Sequence, residues 1–289
     1  MNSLKHRFSN LAAVIIFYDV FFQLGSSILI NSGASLYQNQ FVAMGITGIL
    51  AVILSAMFLS SFPRVNVKYR RFNLWHFLFC VLLMYGLQYI SNFIMSPLIS
   101  FLKEHGYTMT QLEANSSGRI IDGPDFIYSV FLAPILEECF FRGLVYKMVR
   151  PSGVFASGIF LGLLFGLSHL NLIQFLPAFL IGILLFAIRD TYGLPFSILL
   201  HVTNNFLVIL LYNYASSSTA VYYLGVFLML GGISLTLIYF ILQLPKLFHL
   251  VQMERNSIKY AFSVFFTTPL MLVFIVLTVL LTTFSITYG

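Results

Sequence analysis

The chain of 289 residues is far more apolar than a soluble protein: 59% of its residues are hydrophobic, 8% are charged, and the mean hydropathy is +0.93. Soluble domains carry about 25% charged residues, so this composition excludes a soluble globular fold. The net charge of +6 comes from basic residues scattered among short connections. That distribution excludes the concentrated basic surface of a nucleic-acid-binding protein.

Nine apolar segments are predicted to cross the membrane as helices, because each is close to the roughly 17–25 residues that a span needs. They cover residues 9–31, 41–62, 74–102, 125–148, 153–170, 173–189, 195–213, 220–243 and 261–286. The fold class expected is all-α: a polytopic membrane helical bundle of about eight to nine transmembrane helices, forming one membrane domain over 1–289. The very short connection between 153–170 and 173–189 leaves the choice between eight and nine open.

The distribution of Lys and Arg predicts the orientation, because cytoplasmic loops are enriched in these residues. With the N-terminus in the cytoplasm, the basic loops such as 63–73 all face the cytoplasm, and only Lys103 and Arg119 face outside. Arg142 is left over, because it lies well inside the fourth predicted span. The expected localisation is therefore an integral, multi-pass protein of a bacterial cell membrane with a cytoplasmic N-terminus.

Ionisable side chains within the predicted spans are the candidates for function, because a charge at the bilayer centre costs about 2.5–3.5 kcal/mol or more unless it faces a partner or a cavity. The candidates are Asp19, His76, Glu137, Glu138, Arg142, His169 and His201. All but the first two lie in the four segments between residues 125 and 213. This clustering indicates a polar site within the bundle.

The fourth segment carries two adjacent carboxylates and a cation. Glu138 and Arg142 are four residues apart, so they lie on the same face of a helix and are expected to form an ion pair. Glu137 points about 100° away from Glu138, which leaves its carboxylate free. A charge cluster that locks two helices together would account for one Glu–Arg pair, but not for the second carboxylate.

Two further pairs are spaced by one helical turn: Phe165 with His169, and His201 with Asn205. A lone intramembrane histidine more often hydrogen-bonds a neighbouring helix than takes part in chemistry. Together with Glu137, however, these side chains supply a general base, groups that hold and polarise a water, and a donor for an oxyanion. That combination can hydrolyse an amide.

These residues resemble the three motifs of the CAAX-protease and bacteriocin-processing (CPBP, or Abi) family, which includes the type II CAAX-prenyl endopeptidases. The motifs read Glu137-Glu138-x-x-x-Arg142, Phe165-x-x-x-His169 and His201-x-x-x-Asn205, in that order on successive segments. The resemblance covers residues 125–212. It implies a catalytic core of four helices, flanked by accessory helices in 1–124 and 213–289.

The resemblance also implies roles for the motif residues of an intramembrane endopeptidase. Glu137 would activate water with the help of His169, while His201 and Asn205 would bind the oxyanion or hold a metal. Glu138, Arg142 and Phe165 would be supporting residues. Two histidines, His169 and His201, beside a carboxylate would suit a divalent metal such as zinc. Asn205 is an uncommon zinc ligand, so the cofactor stays unknown at this point.

The substrate implied is a peptide or a lipidated protein held among membrane lipids. Its hydrolysis would serve CAAX-type processing or, in a bacterium, pheromone or bacteriocin processing and self-immunity. A different class of function also fits: a catalytically idle membrane scaffold that regulates a partner such as a sensor kinase. A small transporter with a proton relay fits less well, because such proteins have polar sites in two repeated halves.

One geometric expectation opposes a compact site. At 1.5 Å per residue, His169 would lie about 24 Å along a helix that begins at Gly153. His201 would lie only about 9 Å into a helix that runs in the same direction. In straight parallel helices these two histidines would not meet, so the site requires a tilted or broken helix.

Overall fold

A computed structural model describes residues 2–37, 39–59, 65–71, 73–108, 123–284 and 286–288, which are almost entirely helical. The helices are α1 Asn2–Asn31, α2 Gln40–Phe58, α3 Leu74–Glu104, α4 (defined below), α5 Val154–Leu167, α6 Leu172–Tyr192, α7 Leu194–Tyr214, α8 Thr219–Met253, α9 Arg255–Thr267 and α10 Pro269–Phe284. Two short strands, β1 Tyr107–Thr108 and β2 Thr287–Tyr288, pair antiparallel. The predicted all-α polytopic bundle is therefore confirmed.

Helix α4 changes its winding several times along its length. Its consecutive parts are α-helical Gly123–Ile127, π-helical Tyr128–Leu132, α-helical Ala133–Glu138, π-helical Cys139–Val145, α-helical Tyr146–Val149 and a 3₁₀ turn Arg150–Ser152. A π-helical stretch hydrogen-bonds over five residues, widens the helix and is frequent at functional sites. The two adjacent glutamates therefore stand on a short α-helical part between two widened ones.

The helix lengths agree broadly with the predicted number of spans. Six helices in the described part of the chain are long and apolar enough to cross a membrane: α1, α2, α3, α6, α7 and α8. Helices α9 and α10 are bent by 69° at their junction and make a seventh span if they cross together. Each of the nine predicted segments coincides with a helix or a broken helix, but α5, with 14 residues, is shorter than a span requires.

The basic connections collect at one end of the bundle. The backbone N–H of Arg70 donates to the carbonyl of Thr191 at 2.9 Å, and Arg189 donates to the hydroxyl of Tyr69 at 2.6 Å. Arg150, at the end of α4, pairs with Asp190 at 2.7 Å. This arrangement agrees with loops that share one side of the membrane, and the cytoplasmic side remains the prediction. Arg119 and part of loop 63–73 lie outside the described residues.

Two apolar cores flank the junction at which α4, α5, α6 and α7 meet. One joins α1, α4, α5, α9 and α10 and is rich in stacked or edge-on rings such as Phe8, Phe160 and Phe265. The other joins α3, α6, α7 and α8 around residues such as Met84, Leu185 and Leu200. The glutamates of α4 lie just before Phe140 and Phe141 of the first core, and His201 of α7 directly follows Leu200 of the second, so packing on both sides positions them.

Glycines let two helix pairs approach closely. A Cβ on Gly162 of α5 would lie 2.7 Å from the carbonyl oxygen of Phe179 on α6. A Cβ on Gly232 of α8 would lie 2.8 Å from the backbone nitrogen of Gly86 on α3. Small residues of this kind allow membrane helices to pack backbone against backbone, and they fix the positions of α6 and α3 beside the site.

Replacing Gly232 by alanine is expected to destabilise the bundle by about 1–3 kcal/mol, because the new methyl group meets rigid backbone rather than a side chain that can move. Gly231→Ala is the matched control: its Cβ would meet nothing nearer than 3.7 Å, and alanine favours the helix. Thermal unfolding in detergent measures both. Equal melting temperatures for the two variants would mean that α3 and α8 are not packed this closely.

Candidate active site

The predicted ion pair within α4 is present. Nη1 of Arg142 donates to Oε1 of Glu138 at 2.9 Å, and both side chains are fully buried. Nη2 of Arg142 reaches across to α6 and donates to the carbonyl of Gly182 at 3.1 Å. The guanidinium also lies over the ring of Phe165, 4.3 Å from its centroid, a distance at which the ring face attracts a cation. Arg142 therefore joins α4, α5 and α6.

His201 of α7 stands between the two glutamates. Its Nδ1 donates to Oε1 of Glu138 at 3.1 Å, and its Nε2 lies 3.8 Å from Oε2 of Glu137. The second separation is too long for a hydrogen bond, but it is short enough for one water to contact both groups. The Glu138 side chain is fully buried, whereas that of Glu137 is 30% exposed. One carboxylate thus holds the imidazole and the other is accessible.

Phe165 brings the two histidines together, which the geometric expectation from straight helices did not allow. The ring of Phe165 meets the ring of His169 edge-on at 4.8 Å and that of His201 edge-on at 5.8 Å. Straight parallel helices would keep the two rings apart, so this contact requires the departure from that geometry that the sequence predicts; His169 itself lies in the turn between the end of α5 at Leu167 and the start of α6. In this turn Leu170 has a positive φ of 49°, an uncommon conformation for a residue with a side chain.

The turn also fixes the orientation of His169. Its Nδ1 donates to the carbonyl oxygen of Phe165 at 2.7 Å. With the proton on Nδ1, the other ring nitrogen of the neutral imidazole is a proton acceptor. Asn171 ends the turn by capping α6, since its side chain accepts from the N–H groups of Ile173 and Gln174. His169 is therefore held in the tautomer whose second ring nitrogen can accept a hydrogen bond from a water.

Asn205 faces α4 rather than the histidines. Its Nδ2 donates to the carbonyl of Ser129 at 2.9 Å, in the first π-helical part of α4, and its Oδ1 accepts from Asn204 at 3.2 Å. Ser129 was not singled out in the sequence. An irregular helix exposes carbonyl groups to such donors, and the local signal for it is Pro134, which has no backbone N–H to bond a carbonyl of the preceding turn. Nδ2 carries a second hydrogen, which is the one available to a substrate.

Helix α1, outside the predicted four-helix core, also reaches the site. Tyr18 stacks on Phe140 with ring centroids 3.8 Å apart, and its phenol is within electrostatic range of Glu137. The hydroxyl of Ser168 donates to Asp19 at 3.5 Å. The sequence identifies Asp19 as an intramembrane carboxylate, but its neighbours are known only from the structure. His76, in contrast, lies at the start of α3, where Asn73 binds it.

The side chains that could bind a metal ion do not converge as a zinc site requires. Structural and catalytic zinc sites use at least three protein ligands, and no group of three or more His, Cys, Asp or Glu among the described residues is arranged to hold a metal ion. In His169 and His201, Nδ1 is engaged by a carbonyl and a carboxylate, which leaves Nε2 of each ring as the nitrogen that could bind a metal. Two histidines alone are fewer ligands than a zinc site uses, so a divalent metal at His169 and His201 stays a prediction.

Part of the chain is similar to a known family of proteins. Residues 122–207 match the family model described as type II CAAX prenyl endopeptidase Rce1-like. The matched segment runs from the start of α4 into α7 and includes every residue of the three motifs. Neither curated proteins nor solved structures give a match.

Proposed function

We infer that this chain is a membrane protease of the type II CAAX prenyl endopeptidase Rce1-like family, and we propose that the site between α4, α5 and α7 is its active site. The proposed reaction is hydrolysis of a peptide bond in a membrane-associated or lipidated peptide or protein. Such a reaction would serve CAAX-type processing, the maturation of a peptide pheromone or bacteriocin, or self-immunity.

One observation carries this proposal: two adjacent glutamates flank His201 but have different surroundings. Glu138 is buried and engaged by Arg142 and His201, whereas Glu137 is 30% exposed and lies 3.8 Å from His201 Nε2. Two neighbouring carboxyl groups in different surroundings can take different roles, one structural and one chemical. A charge cluster that only locked helices together would have no use for an accessible carboxylate.

In the proposed mechanism Glu137 removes a proton from a water as the water oxygen attacks the substrate carbonyl. The second nitrogen of His169, left as an acceptor by its bond to Phe165, orients that water. Nδ2 of Asn205 donates its remaining hydrogen to the oxyanion that forms. Glu137 then passes its proton to the leaving amine, so no proton is gained or lost over the cycle. Glu138 and Arg142 keep His201 in place beside the reacting groups.

Peptides released from membranes that contain the wild-type protein, compared with membranes that contain Glu137→Gln, test the activity and identify the substrate. We expect a defined set of cleavage products to be present only with the wild type, because the amide of the variant cannot accept a proton. Glu104→Gln, an exposed change at the end of α3, is the matched control. Identical peptide profiles for all three proteins would favour the idle scaffold over the protease.

Replacing Asn205 by alanine should lower kcat by about 10²–10³-fold while changing KM little, because an oxyanion donor acts only in the transition state. Asn213→Ala, on the same helix but bonded to the carbonyl of Ile209, is the control. Steady-state kinetics with a cleaved peptide gives both constants. A rise in KM alone would identify Asn205 as a substrate-binding residue.

A further inference from the structure

The side-chain amide of Asn205 is held at both of its ends. Its Nδ2 donates to the carbonyl of Ser129 at 2.9 Å, and its Oδ1 accepts from Nδ2 of Asn204 at 3.2 Å. The outer torsion of an asparagine side chain has only broad energy wells, so contacts at both ends are needed to fix the plane of the amide. That plane sets the direction of the second hydrogen of Nδ2, which the proposed mechanism aims at the oxyanion.

The carbonyl of Ser129 is available to Asn205 because of Pro134. In the first π-helical part of α4 the N–H of Ala133 donates to the carbonyl of Tyr128, five residues earlier. In the same register the partner of the Ser129 carbonyl would be the backbone nitrogen of Pro134, which carries no hydrogen. Asn205 supplies the missing donor from α7. Because a carbonyl only accepts, this contact also decides that Nδ2 of Asn205, and not Oδ1, faces α4.

The side chain of Asn204 leaves its own oxygen unpaired in order to hold Asn205. It is 8% exposed, and its Oδ1 is buried without a hydrogen-bond partner among the described residues. Buried polar groups are nearly always paired, so such an exception calls for an explanation. Turning the amide of Asn204 over would put its oxygen against Oδ1 of Asn205, and two acceptors repel each other. The orientation of Asn204 therefore follows from that of Asn205.

We propose that Asn204 and Pro134 are positioning residues for the oxyanion donor Asn205. Asn204 holds the oxygen end of the amide, and Pro134 leaves free the carbonyl that holds the nitrogen end. Their role rests on the proposed function, because the orientation of Asn205 matters for catalysis only if it acts on the oxyanion. A donor of this kind stabilises the transition state only when it is oriented in advance.

Asn204→Leu tests the contact at the oxygen end, because it removes the N–H that holds Oδ1 of Asn205. We expect kcat to fall about tenfold, less than the roughly 10²-fold that a displacement of 1 Å can cost, with KM unchanged. The unfolding temperature should stay the same or rise, because the change also removes a buried unpaired oxygen. Asn213→Leu, on the same helix, is the control. If Asn204→Leu does not fold, Asn204→Ala removes the same donor and takes its place.

Pro134→Ala tests the contact at the nitrogen end. The new N–H should donate to the carbonyl of Ser129 and compete with Asn205 for it. We expect kcat to fall by roughly three- to tenfold with KM unchanged, although alanine favours the helix. Because Pro134 lies one turn before Glu137, a separate measurement must show that the loss is transmitted through Asn205.

Double variants that contain Asn205→Ala supply that measurement, with purified protein in nanodiscs and a fluorogenic prenylated peptide or a peptide found in the membrane comparison. A residue that acts only through Asn205 should lower kcat by less than about twofold once Asn205 is alanine, since the two losses are not additive. An undiminished loss in the double variant, an unchanged kcat of the single variant, or a raised KM with a lower unfolding temperature would overturn the role of that residue.

Failure of this inference is distinguishable from failure of the proposed function. If the wild type cleaves the peptide and Asn205→Ala is slow, the results for Asn204→Leu and Pro134→Ala bear on positioning alone. If Asn205→Ala turns over like the wild type, no positioning of an oxyanion donor exists and the inference is overturned. Absence of cleavage by the wild type would remove the proposed function, and the positioning role with it.

Discussion

Replacing Glu137 by glutamine should lower the turnover of a cleaved peptide by about 10²–10⁴-fold, the usual contribution of a general base. The two side chains have nearly the same size, but the amide cannot take a proton from water. Because the side chain is 30% exposed and makes no hydrogen bond in the described structure, the change should not disturb folding. Purified protein in nanodiscs, assayed with a fluorogenic prenylated peptide or with a peptide found in the membrane comparison, gives kcat and KM.

Two checks make this result interpretable. The thermal unfolding temperature of Glu137→Gln should match that of the wild type, and Glu104→Gln should retain full turnover. His169→Ala and His201→Ala are expected to lose turnover to a similar extent, because one orients the water and the other faces Glu137. Near-normal turnover of purified Glu137→Gln would show that Glu137 is not the general base, whatever the results for the histidine variants.

Replacing Arg142 by methionine should destabilise the protein by about 3–5 kcal/mol, because it leaves the carboxylate of Glu138 buried without its cation. The variant also loses the hydrogen bond to Gly182 and the contact with the face of Phe165. We therefore expect α4, α5 and α6 to loosen together. Activity should also fall, because Glu138, the partner of His201, is no longer held in place by Arg142. Thermal unfolding in detergent measures the loss.

Arg150→Met is the matched control for this prediction. Arg150 pairs with Asp190, but their side chains are 23% and 16% exposed, so a smaller loss of about 1 kcal/mol is expected. The double variant Glu138→Leu/Arg142→Met should regain much of the stability, since apolar residues often replace a buried ion pair without cost. An unfolding temperature of Arg142→Met equal to that of the wild type would contradict a buried ion pair.

Helix content and the identity of the motif residues were predictable because they depend on short-range rules. An apolar run of sufficient length must form a helix in a bilayer, where every backbone group needs an internal partner. Within such a helix, residues four apart lie on one face, so Glu138 is placed beside Arg142, and the structure contains that pair at 2.9 Å. Neither inference requires knowledge of where any other helix lies.

The winding of α4 was not predictable in this way. Its two π-helical parts, Tyr128–Leu132 and Cys139–Val145, contain mostly ordinary helix-forming and apolar residues. Pro134, which has no backbone N–H to donate into the preceding turn, marks the neighbourhood of the first part but not its extent. The α-helical part between them is short, and its position decides the directions in which Glu137 and Glu138 point. The contact between Asn205 and Ser129 depends on the same irregularity.

By itself the sequence determined that this protein lies in a membrane, its class of fold and which few side chains could carry chemistry. Composition, length and helical spacing are properties that need no knowledge of the tertiary structure. Only the tertiary structure decided that His169 and His201 share the ring of Phe165 and that His201 stands between two glutamates. It also decided that α1 reaches the site through Tyr18 and Asp19. These contacts depend on how far α5 extends and on how closely glycines such as Gly162 let the helices approach, and packing among all the helices sets both at once.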